Sequence, residues 1–298
     1  MKLALVLAPA LALAATGCVQ RVNRAAMVPH ATPILANGNP LDTPAEFSAG
    51  ASSVAHTTLS SSDESAAVEI PGTQLEGSLR VRLGRYGAIG LVVAHGLAST
   101  AQQIKREQPD VEGTGPLGKG FQLTASIPTG DPRWHVGLAA EFLSWTVPYV
   151  EYGVCVENCG GIPWTSIERG EDEVGQAAFA VIPTYRSGRW NLWGGLTARS
   201  HPTIQQKGVE SSLDFEGDVE AGSFNTIVSA GADIEFGGGV RAGMTLYQVV
   251  VGQPANYGPA VSAMVTIPLG GSRRAAVAKA AAAAPPAPVV PAGAPGSM

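Results

Sequence analysis

Apolar and polar residues alternate with a period of two along much of this chain. Over 78–83, Leu79, Val81 and Leu83 interleave with Ser78, Arg80 and Arg82. Over 134–142, Trp134, Val136, Leu138, Ala140 and Phe142 interleave with His135, Gly137, Ala139 and Glu141. The same period recurs in 121–127, 190–199, 230–236, 240–246 and 261–269. Period two sends successive side chains to opposite faces of a strand, so each segment has one apolar and one polar face. Nine strands are predicted, at 74–84, 86–97, 118–128, 133–146, 174–186, 189–199, 223–236, 240–251 and 258–269.

The connections between them alternate in length. Short turns occur at Gly84-Arg85, 129–133, Ser187-Gly188 and 237–239, all of turn composition, whereas long loops occupy about 98–117, 147–173 and 200–222. Tyr86, Trp134, Tyr185, Trp190 and Phe236 each lie within a few residues of a short turn. Aromatic residues gathered near one end of a set of strands suit a membrane interface. The three long loops hold three, six and five of the 24 acidic residues and only four basic ones between them.

Such a chain resembles the small bacterial outer-membrane β-barrel proteins over 46–269. The resemblance implies an all-β fold, a transmembrane antiparallel up-and-down barrel of about ten strands with short periplasmic turns and long extracellular loops. Single-chain bacterial barrels have an even strand number, so a tenth strand is required, and 46–57 is the candidate. Eight strands is the alternative if an edge segment is misread. One departure is the end of the last strand, Ile267-Pro268-Leu269, where such barrels usually carry an outward aromatic.

The chain begins Met1-Lys2, continues with an apolar run from Leu3 to Ala15, and reaches Ala15-Thr16-Gly17-Cys18. A cationic residue, a short apolar run and a small-residue site make a secretory signal peptide over 1–17. The run is too short for a membrane helix, which needs about 20 residues. The four residues ending in Cys18 resemble the lipobox of bacterial lipoproteins, with Ala15 where a larger aliphatic residue is usual. That resemblance implies acylation of Cys18 and an outer-membrane lipid anchor. Residues 18–45 then read as a lipidated tether starting in the periplasm, 46–270 as the barrel, and 271–298 as an Ala/Pro-rich disordered periplasmic tail. Removing Cys18 leaves Cys155 and Cys159, which read as a local disulfide in an oxidising compartment.

Composition narrows function by exclusion. Charged residues are 14% of the chain, against about 25% in soluble domains. A net charge of −5 gives no sign of a nucleic-acid partner. Projecting the alternation inward collects Glu76, Arg80, Arg82, His135, Glu141, Arg186, Arg199, Asp233, Glu235 and Arg241. The interior of a barrel of about ten strands is only slightly wider than the side chains that fill it. Mixed charges there are expected to pair as a plug, because unpaired buried charge is costly.

The expected role is structural, adhesive or within an envelope complex, with outer-membrane lipid and envelope or extracellular proteins as partners. A narrow channel for small solutes is the alternative. A hydrolase, for which only His95 and His201 stand near the long loops, or a tethered soluble periplasmic β-protein, are further alternatives. No catalytic motif, metal site or cofactor is expected. The acidic stretch 214–220 reads as a solvated strand extension rather than a Ca²⁺ site, and the 147–173 loop with Trp164 is the candidate contact with an outside partner.

Overall fold

The computed structural model describes residues 20–59, 67–103, 110–155, 164–200, 224–251 and 255–271. The signal peptide, Cys18, Cys159, His201, the acidic stretch 214–220 and the tail from 272 onward lie outside the described residues.

Ten strands make the barrel: β1 (Ala45–Val54), β2 (Thr73–Leu83), β3 (Gly87–Gly96), β4 (Leu117–Pro128), β5 (Trp134–Cys155), β6 (Trp164–Ser187), β7 (Trp190–Ser200), β8 (Phe224–Glu235), β9 (Arg241–Val251) and β10 (Ala260–Leu269). Each pairs antiparallel with the next, and β10 returns to β1 from Leu269↔Ala45 to Ala260↔Val54. The ring is therefore closed, with no free edge around the barrel. The expected first strand is real and ends sooner than the sequence suggests, at Val54 rather than 57.

The short turns all lie at one end. Gly84 and Gly188 sit in two of them at φ +65° and +60°, a region where a side chain is strained. The outer face of the wall is apolar: Leu79, Val81, Leu91, Phe121, Leu138, Val181, Leu196 and Leu246 all point away from the lumen and are exposed. Leu91 and Leu246 reach 65% exposure, too much apolar surface to leave in water over a whole barrel. The medium that matches this face is hydrocarbon.

Two regions depart from the sequence expectation. Residues 147–155 and 164–173 are not loop but continue β5 and β6 beyond the barrel, to lengths of 22 and 24 residues. Residues 20–44 are not a tether outside the barrel. Gln20–Met27 form a strand that pairs antiparallel with the β5 extension, from Gln20↔Cys155 to Ala26↔Tyr149. It also pairs in parallel with Ala67–Pro71, which in turn pairs with Ala101–Gln103. After Met27 the chain enters the barrel mouth at the long-loop end and descends through the lumen. Residues 28–34 are all buried, as are 36–38, Leu41 and Thr43. At the short-turn end the Pro44 carbonyl accepts the Arg82 backbone N–H at 2.9 Å, and β1 begins.

The threaded segment supplies what a ten-stranded wall leaves empty. Val28 and Ala31 pack with Val92, Leu143, Trp145, Ile227 and Tyr247 in the upper lumen. Ile34 and Ala36 pack with Ala139, Ala178, Ile182 and Trp193 below. Ala25 and Met27 pack with Val111, Val150 and Tyr152 above the barrel. Burying Met27, Val28 and Ile34 contributes about 1.5–3 kcal/mol each and the alanines less, so the segment is held along its length rather than at one point.

Candidate functional site

The site is the lumen together with the segment that runs through it. All ten charged or histidine residues assigned inward from the sequence take the inward parity of their strands. They fall into two clusters, and both clusters engage the threaded chain.

The upper cluster centres on Arg199 from β7. Its Nη2 donates to Glu141 Oε1 at 2.8 Å, its Nη1 to Gln176 Oε1 at 2.9 Å, and its Nε to the carbonyl of Thr32 at 2.7 Å. Arg199 and Glu141 are each 2% exposed, so the pair is sealed from solvent. Gln176 Oε1 also accepts the Trp145 indole N–H at 3.0 Å. Glu76 faces the same Arg199–Glu141 pair from β2. Above it, His30 on the threaded segment holds Pro71 O with Nδ1 at 2.8 Å and Ser52 Oγ with Nε2 at 3.0 Å. A carbonyl can only accept, so Nδ1 carries the hydrogen, and a neutral ring accepts from Ser52.

The lower cluster lies at the short-turn end. Glu46 binds both Arg80, through a very short contact, and Arg241 at 2.6 Å. Arg241 also stands 4.0 Å from Asp233. Arg186 joins Glu235 at 2.9 Å to Asp42 of the threaded segment at 3.2 Å. Asp233 accepts from Asn191 and from Asn37 of the segment, the latter at 2.9 Å. Asn39 donates to Asn191 at 2.9 Å. Arg82 reaches the Asp42 carbonyl at 3.5 Å, and His135 lines the vestibule beside Asp42 and Arg186.

Between the clusters the segment passes the wall at closest range. Gly38 N donates to Thr184 Oγ1 and Gly38 O accepts from Ser126 Oγ, both at 2.7 Å. A Cβ placed on Gly38 would stand 2.3 Å from Ile182 O, and one on Gly137 would stand 2.4 Å from Gly38 Cα. Only hydrogen fits at either position. The free space beside Gly38 is about 10 Å³, room for at most one water. Below it the segment divides the mouth into vestibules of about 380 and 470 Å³, both lined by Asn39, Pro40, Leu41 and Asp42.

The sequence reading missed Glu46, although its alternation with Phe47 and Ser48 marks it as inward. It also missed every segment residue that pairs with the wall: His30, Thr32, Asn37, Gly38, Asn39 and Asp42. Cys155 ends β5, while its expected partner Cys159 lies outside the described residues. His95 takes the outward parity of β3, opposite Leu75 of β2, and does not join the inward groups.

At the long-loop end Arg24 fixes the N-terminal strand. Its guanidinium reaches Glu151 at 2.6 Å and Asp172 at 2.5 Å and stacks 3.9 Å from the Tyr149 ring centroid. Among the described residues no group of three or more metal-ligating side chains is gathered.

No protein-family model and no curated protein sequence matches the chain. Among solved structures it is similar to an outer-membrane channel from Pseudomonas putida F1, at 12% identity over 80% of this chain and 99% of that one, with a TM-score of 0.43. It is similar to LpxR from Salmonella typhimurium, at 8% identity over 75% of this chain and 100% of that one, TM-score 0.38. It is also similar to the translocator domain of the autotransporter NalP from Neisseria meningitidis, at 10% identity over 75% and 87%, TM-score 0.37.

Proposed function

We propose that this chain is a sealed outer-membrane barrel with a structural or interactive role in the envelope, anchored by acylation of Cys18. The observation that carries the reading is the segment 28–43, buried or half-buried through the lumen and hydrogen-bonded to the wall in both clusters. A solute pathway requires this segment to leave, which breaks the contacts of Thr32, Asn37, Gly38, Asn39 and Asp42 together. Each of these hydrogen bonds contributes about 0.5–1.5 kcal/mol net and the apolar burial of Val28 and Ile34 is lost with them, so spontaneous withdrawal is rare. The apolar outer face supports insertion in a bilayer.

With the short turns periplasmic, the threading carries Gln20 to the long-loop side, beside Cys155. The anchor proposed at Cys18 would then enter the bilayer from the cell surface rather than from the periplasm. This reading assigns the long-loop end, built from the β5 and β6 extensions and the N-terminal strand, as the contact surface for an envelope or extracellular partner.

Planar-bilayer recording of the refolded full chain tests the seal. A silent bilayer with verified insertion is expected, and discrete channel openings would overturn the sealed-barrel reading in favour of a narrow channel. Mass measurement of the mature N-terminus tests the anchor, which fails if Cys18 is unmodified.

A further inference from the structure

Three successive hairpins around the barrel share a feature. In the β2–β3 turn Arg85 precedes Tyr86, in the β4–β5 turn Arg133 precedes Trp134, and in the β6–β7 turn Arg189 precedes Trp190. All six residues are exposed at the short-turn rim; Trp134 and Trp190 stand at the foot of the apolar outer face, whereas Tyr86, with Arg85, borders the 380 Å³ vestibule. The hairpins are neighbours in the ring, so the arginines form an arc along more than half of the rim.

Their local partners leave charge available. Arg85 lies 5.1 Å from the Tyr86 ring centroid and Arg133 lies 5.9 Å from that of Tyr185, itself 5.0 Å from the Trp134 ring. Arg133 is paired with Asp131 at 3.0 Å and remains 63% exposed. The hydrogen bonds from Arg133 hold the Asp131 carboxyl below the usual carboxylate range. Arg85 and Arg189 take part in no ion pair among the described residues. The inward arginines of the same end, Arg82, Arg186 and Arg241, are committed to the threaded segment and the wall.

We propose that this rim is a phosphate-binding collar, in which Arg85 and Arg189, assisted by Arg133, hold the headgroup phosphates of anionic phospholipids in the adjoining leaflet. An aromatic ring at the interface places its neighbour at headgroup depth, and a guanidinium presents a planar fork that matches a phosphate. Trp134 and Trp190 supply that depth marker twice, each preceded in sequence by an arginine, and Arg85 stands exposed on the neighbouring hairpin. The inference rests on the reading of this chain as a membrane barrel.

The test uses the full chain with Trp164→Phe, refolded into phosphatidylcholine vesicles and into vesicles with three parts in ten phosphatidylglycerol. Trp145 and Trp193 are buried inside, so quenching by brominated lipid reports on Trp134 and Trp190 at the rim. Brominated phosphatidylglycerol is expected to quench more than its share, by about fivefold in relative affinity for each free arginine. Arg85→Gln/Arg189→Gln is expected to lose that preference while brominated phosphatidylcholine still quenches. Equal quenching by both lipids in the parent chain, or a preference that survives the double substitution, overturns the collar. Relief of the preference by millimolar inorganic phosphate also overturns it, by showing an ion site rather than a lipid surface. Absence of quenching by either lipid contradicts the membrane reading itself, so the two failures are distinguishable.

Discussion

Arg199 donates its Nε–H to the main-chain carbonyl of Thr32 at 2.7 Å, so a wall strand grips the threaded segment by its backbone. The same guanidinium neutralises Glu141, and both side chains are buried. Removing Arg199 strands a carboxylate and a carbonyl together. Arg199→Met is expected to destabilise the folded barrel by about 3–5 kcal/mol, the cost of breaking a buried pair from one side. The urea midpoint of the refolded protein in detergent checks this. Adding Glu141→Gln should recover part of the loss, since the uncompensated charge is then gone.

At the short-turn mouth the same kind of pair should count for less. Arg186, between Asp42 and Glu235, has carboxylate partners that are each 35% exposed. Screened pairs of this sort contribute up to about 1 kcal/mol. Arg186→Gln should therefore cost about that much in low salt and almost nothing in 1 M salt, where the screening length is about 3 Å. The Arg199 effect should survive the added salt, and paired urea titrations at both ionic strengths separate the two.

Gly38 and Gly137 face each other where a methyl group does not fit. Gly38→Val should force the segment off β5 at a cost of about 1–3 kcal/mol, typical of overpacking. In a planar bilayer this variant should show intermittent openings where the parent chain is silent. A silent Gly38→Val variant with unchanged stability would mean that the contact is not tight.

At the other end, Glu151 and Asp172 hold Arg24 against Tyr149. Hydrogen bonds to a charged group contribute about 1.5–3 kcal/mol each. Glu151→Ala/Asp172→Ala should loosen the N-terminal strand and speed tryptic cleavage after Arg24 by tenfold or more. The cut is read by N-terminal sequencing of the fragments.

The barrel was legible because its wall obeys one rule throughout. Leu79 and Arg80, or Trp190 and Asn191, differ by one position and by which medium they meet, and that contrast marks the face without any partner being known. The extensions of β5 and β6 were hidden because above the barrel both faces are partly covered. Val147 and Pro148 are adjacent and both buried, and so are Tyr152 and Gly153, which erases the alternation. The threaded segment was hidden for a different reason. His30, Asn37 and Asn39 read as solvated loop residues, since nothing local shows that Ser52, Asp233 and Asn191 await them from strands far along the chain. The apolar positions Ala31, Ile34 and Ala36 carry no period, because an irregular chain surrounded by wall on all sides has no solvent face to record.

The passage of residues 28–43 through the lumen is most directly tested by crosslinking across it. Asn39 and Asn191 share a 2.9 Å hydrogen bond between the segment and the wall. In full-length protein with Cys18, Cys155 and Cys159 replaced by serine, Asn39→Cys/Asn191→Cys should couple efficiently with a short thiol-to-thiol linker in the folded barrel. The same protein unfolded in urea should couple poorly. Coupling no better in the folded barrel than in urea, with heat-modifiable gel migration showing that the barrel had formed, would contradict the threaded lumen.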